Sequence, residues 1–136
     1  MEDLHRRSVL GLGLAASALA LSTAAAAQTY GPDEGKEVAP GVRVVVLGER
    51  ESVLPAYKML KLRDVVIQPG AKTPENAMPN DMVCHLTEGE LSVVQNQNKF
   101  TVKKGDVWAC AKGITPEAQN TGSTVAIMRV IDLMTA

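Results

Sequence analysis

The chain has 136 residues, of which 46% are hydrophobic and 21% charged, and a formal net charge of -1. That is length for one globular domain, and the charge leaves no electrostatic footprint for nucleic acid. Only 3% of residues are aromatic, so Val, Leu, Ile, Met and Ala must fill the core.

Residues 1–27 have the order of an export signal. Met1–Arg7 is short and ends in two arginines. Val9–Leu21 is apolar, and Ala24–Ala27 offers small residues for cleavage. A membrane anchor is the alternative, but the apolar run falls short of the roughly 20 residues that a span needs. Arg6-Arg7-Ser8-Val9-Leu10 resembles a twin-arginine signal, which implies export of an already folded chain. The expected location is therefore periplasmic or secreted, with no membrane attachment once the signal is cleaved. Cleavage after Ala27 removes His5 and leaves His85 as the one imidazole.

Residues 28–41 contain Gly31-Pro32 and Ala39-Pro40-Gly41 without periodicity, and read as a flexible or edge-hugging leader. The domain is expected over 42–136. Val42–Leu47 is β-branched and apolar. Tyr57–Ile67 alternates and ends at Pro69-Gly70. A helix over Ser52–Leu62 is the alternative there, with Pro55 near its start. Met82–Thr87 ends at Glu88-Gly89. Leu91–Gln95 and Phe100–Lys103 flank the turn-like cluster Asn96-Gln97-Asn98. Asp106–Ala111 precedes Lys112-Gly113, and Thr124–Leu133 is the longest run. Seven or more short strands separated by turns point to an all-β sandwich or barrel.

Two stretches resemble the motifs of the cupin family. Gly70, Asn76, Met78, Met82 and Gly89 hold the spacing of the first motif, and Gly105, Gly113 and Asn120 that of the second. The resemblance covers roughly residues 42–133. It implies a double-stranded β-helix, the jelly-roll barrel of small single-domain cupins. Cupins usually hold a divalent metal through three histidines and a glutamate. Asn76, Met78, Met82 and Pro116 stand at those positions here, and one imidazole cannot restore a three-histidine site. No cofactor is expected.

The resemblance also implies a cavity lined by Asn76, Met78, Met82, Cys84, Cys110 and Pro116. Jelly-roll topology pairs the strand after the first motif with the strand opening the second. If Gly89 lies opposite Gly105, Cys84 faces Cys110 at the 4.5–5.5 Å or so of opposed Cα atoms. A disulfide is then expected, with two buried free thiols as the alternative. Met78, Met82, Cys84 and Cys110 form a candidate soft site for copper, core filling being the alternative. His85 alternates away from Met82, out of the cavity. Trp108 is expected on the face opposite Cys110, and Arg129 on the outer face or paired with an acid.

Three functions remain open. A metal-free barrel would bind a small molecule or a protein partner, with a homodimer as one form of assembly. A soft-metal or thiol protein would use the cysteines. An enzyme would use Glu75 or Glu117 at the barrel mouth as a general base, although no partner orients either acid.

Overall fold

The computed structural model describes residues 30–135. The expected signal lies outside the described residues. Nine strands form among the described residues, and no helix there is long and apolar enough to cross a membrane. The strands are β1 (Lys36–Ala39), β2 (Val42–Glu51), β3 (Met59–Ile67), β4 (Asp81–Glu88), β5 (Glu90–Gln95), β6 (Asn98–Lys103), β7 (Val107–Cys110), β8 (Glu117–Gln119) and β9 (Ala126–Met134).

A six-stranded sheet runs β1-β2-β3-β9-β4-β7, and a three-stranded sheet runs β6-β5-β8. Every pairing is antiparallel. Alternating positions send one set of side chains between the sheets. Val42, Val65 and Ile67 meet Leu86, Leu91 and Val130 in that core, all 3% exposed or less. The arrangement fits a jelly-roll barrel.

The fold begins before Val42. Lys36–Ala39, within the expected leader, is the edge strand of the larger sheet, and the Tyr30 hydroxyl donates to the Asp64 carboxylate. The helix alternative over Ser52–Leu62 does not form. Leu54–Tyr57 makes a turn, its end closed by Tyr57 N donating to Leu54 O at 3.1 Å, and β3 follows from Met59. Strand β8 has no counterpart in the sequence pattern, because three residues including Glu117 and Gln119 carry no period.

Asn96 and Gln97 form the two-residue link between β5 and β6, with φ of 47° and 69°. Positive φ at both positions is the hairpin geometry whose twist matches the strands. Gly89 has φ of 81°, and a Cβ there would lie 2.8 Å from Ala126 Cα and 2.9 Å from Val125 O. Only glycine fits where β4 gives way to β5 against the start of β9.

Candidate functional site

Strand parity decides which side chains face inward. Ile67 and Val65 end β3 in the core, so Arg63 points the same way from the same strand. From β4 come Met82 and Cys84, from β7 Trp108, and from β9 Met128. Two loops close one end. Met78 N donates to Ile114 O and Gly113 N to Met78 O, both at 2.8 Å. Thr73 N donates to Ala118 O at 2.9 Å, and Ala118 N donates to Thr73 Oγ1 at 3.0 Å. These bonds bring Asn76, Met78 and Pro116 to the same wall.

The result is a cavity of about 240 Å³ between the sheets. A benzene-sized guest needs only about 150 Å³. Asn76, Met78, Met82, Cys84 and Pro116 line it. Cys110 does not: it packs in the core behind the wall, opposite Met82. Arg63, Trp108 and Val38 also line the cavity, and Val38 comes from the expected leader.

The expected cysteine bridge is corrected by the register. Cys84 lies opposite Trp108, and both thiols are free and buried. The register is set at Leu86, whose N donates to Asp106 O at 3.0 Å while its O accepts from Gly105 N at 2.7 Å. Gly105 therefore does not face Gly89, and the cysteines are offset by two residues. Such diagonal neighbours have Cα atoms about 7–8 Å apart, beyond the usual reach of a disulfide. The expected place of Trp108 is corrected too. Two residues separate it from Cys110, so both share a face.

Arg63 is the one charged residue lining the cavity among the described residues. Its Nε and Nη2 donate to the two carboxylate oxygens of Asp132 at 2.7 and 3.1 Å. Its Nη2 also lies 3.9 Å from Met82 Sδ. Side-chain exposure is 21% for Arg63 and 13% for Asp132. Burial, then the neighbouring Cys110, pushes the Cys84 thiol up to about 12. Burial likewise raises Cys110.

The other expected residues have structural partners. Lys72 lies between Glu75 and Glu117, at 4.0 and 3.7 Å. His85 lies on the outer face with Nδ1 3.3 Å from Asp106 O. Arg129 shares that face and clamps the buried Asp64 by two bonds of 2.8 and 2.9 Å. Asn120 is 1% exposed, donates to Ile67 O and Thr124 O, and accepts from Gly122 N. It ties the turn before β9 to the end of β3.

Comparison with solved structures agrees with this topology. The chain is similar to KdgF from Halomonas sp. (13% identity, TM-score 0.59, 79% of this chain and 94% of that one). It is similar to a cupin superfamily protein from Desulfitobacterium hafniense (17%, 0.56, 74% and 83%). The fold is the cupin fold. A predicted oxalate decarboxylase from Thermotoga maritima shares it (21%, 0.56, 68% and 81%). No protein-family model and no curated protein matches the chain.

The cupin fold commonly houses a divalent metal, and the residues present do not fit one. Hard cations want oxygen ligands and borderline ones imidazole or thiolate. The four usual ligand positions hold one amide, two thioethers and a proline ring, from Asn76, Met78, Met82 and Pro116. The Arg63 guanidinium already lies against the Met82 sulfur that a metal there would need. Among the described residues, no three His, Cys, Asp or Glu side chains converge as a metal-holding group. Of the four residues of the copper alternative, Met78, Met82 and Cys84 line the cavity and Cys110 does not.

Proposed function

We propose that this protein is an exported cupin-fold binder that takes a small organic molecule into its barrel and needs no divalent metal to do so. The observation that carries the reading is the cavity of about 240 Å³, walled mainly by Val, Met, Trp and Pro with a few polar groups. Small-molecule sites are concave and mostly apolar, and a few placed polar groups fix the ligand. Trp108 gives the wall a flat aromatic face, and Asn76, Gln95 and Thr73 give it hydrogen-bonding groups. The order of charged, apolar and small residues over 1–27 supports export.

Among the described residues, the charged group that lines the cavity is Arg63, a binding group rather than a general base. Glu75 and Glu117 lie off the cavity wall beside Lys72, and His85 is on the outer face. The test is thermal unfolding of chelator-treated protein with neutral aromatic probes of benzyl alcohol size. A ligand that binds only the native state raises the midpoint with concentration. The reading expects that rise in the native chain and its loss in Val44→Phe, which narrows the cavity from a partly buried wall position. No rise with any probe would reject it.

A further inference from the structure

The cavity carries a cation with one of its two hydrogen-bonding edges unused. A guanidinium has five N–H donors, arranged as a side-on edge (Nε and Nη2) and an end-on edge (Nη1 and Nη2). Asp132 occupies the side-on edge of Arg63 through both carboxylate oxygens. On the end-on edge, among the described residues, Nη2 meets only the Met82 sulfur at 3.9 Å, and Nη1 bonds no protein group. Sulfur is a weak acceptor at that distance.

Asp132 fixes the plane of the guanidinium, so the free edge is held in place before any ligand arrives. The surrounding wall is mainly apolar, and a charged contact made against it is stronger than one in bulk water. Trp108 and Met128 line the same space and suit a flat, apolar body. The volume accommodates a ring of benzene size with a small substituent.

We propose that the ligand is a small organic monocarboxylate with a planar apolar body, its carboxylate taken in fork-to-fork fashion by the end-on edge of Arg63. This rests on the small-molecule reading of the cavity. A planar carboxylate matches that edge with two parallel N–H···O bonds. Asp132 acts as the positioning residue, and the Arg63 guanidinium opposes a cationic ligand.

Trp108 is the chain's single tryptophan, so its fluorescence reports cavity occupation. The test titrates the full chain with benzoate, benzamide and benzylammonium, which share a ring and differ in charge. Benzoate is expected to bind at least about tenfold more tightly than benzamide, as charge-assisted bonds require. Benzylammonium is expected to bind more weakly than either. The pair of substitutions Arg63→Gln and Asp132→Asn removes both charges together and avoids stranding one. In it, benzoate should fall to the level of benzamide, while benzamide affinity holds. Arg63→Lys, which keeps the charge but loses the fork, should recover only part of the preference. Benzamide binding as tightly as benzoate in the native chain would overturn the carboxylate proposal and leave the cavity reading standing. Binding of none of the three would reject both.

Discussion

Arg63 on β3 and Asp132 on β9 form a two-bond ion pair on the inner face of the larger sheet, two residues along from direct opposition. Both side chains are largely buried. Removing one partner leaves the other charge uncompensated, which costs more than the pair itself contributes. Asp132→Asn is expected to destabilise by about 2–3 kcal/mol in urea unfolding. The double variant Arg63→Met with Asp132→Leu should recover most of that loss. An Asp132→Asn variant within about 0.5 kcal/mol of the native chain would mean that the pair is solvated and loose.

A second clamp holds the outer face. Asp64 is fully buried and takes two bonds from Arg129 and one from Tyr30. Arg129→Met is expected to cost about 3 kcal/mol, because it strands a buried carboxylate. Tyr30→Phe should cost about 1 kcal/mol, the net worth of one hydrogen bond. Guanidinium or urea unfolding of the two variants checks the order; equal small effects would contradict it.

The same contact gives a pH signature. Burial, then the bond to Asp64, raises Tyr30 to about 12. The bond to Asp81 raises Tyr57. These are the chain's two tyrosines. A raised folded pKa favours the neutral phenol in the folded state. Its contribution to stability is full below the ordinary value near 10 and is lost as pH rises towards about 12. Phenolate absorbance of the folded protein should therefore rise well above the pH at which the unfolded chain titrates. Coincident titration of folded and unfolded protein would show that the tyrosines are free.

The thiols are expected to be slow. Burial raises both, Cys84 to about 12, and thiolate is the reactive species. A disulfide-exchange reagent at neutral pH should leave Cys84 and Cys110 unmodified until the protein is unfolded, and should then titrate two thiols. Fast reaction of two thiols in the native state would contradict their burial. No free thiol after unfolding would contradict the observed register.

Gly70 and Gly89 share a left-handed backbone, with φ of 80° and 81°, and differ in surroundings. Nothing lies within 4 Å of a Cβ added at Gly70, whereas one at Gly89 meets backbone. Gly70→Ala should cost only the conformational term, about 1–2 kcal/mol. Gly89→Ala adds a clash that must move β9, and should cost more. Equal losses in denaturant unfolding would mean that the β4–β5 junction yields easily.

Much of the fold was legible in the punctuation of the sequence. Gly, Pro and Asn mark the strand ends, and Asn96-Gln97 marks the β5–β6 turn. The two-residue period also put Met82 and Cys84 on one face. Register was not legible, because it depends on where the β6–β7 turn closes, and the Leu86–Asp106 bonds shift it by two residues. Arg63 was missed because Lys61, Arg63 and Asp64 make that half of β3 look solvated. Its parity with Val65 and Ile67 was the available signal. Trp108 carried the same kind of signal, lying two residues from Cys110.

The central claim is that the barrel takes a small organic guest by itself. Isothermal titration of the chelator-treated full chain with benzamide tests it most directly, because that probe owes nothing to charge. The account predicts saturable binding of one guest per chain, unchanged by added divalent metal and lost in Val44→Phe. Binding that appears only after a divalent metal is restored, or no binding at all, would contradict it.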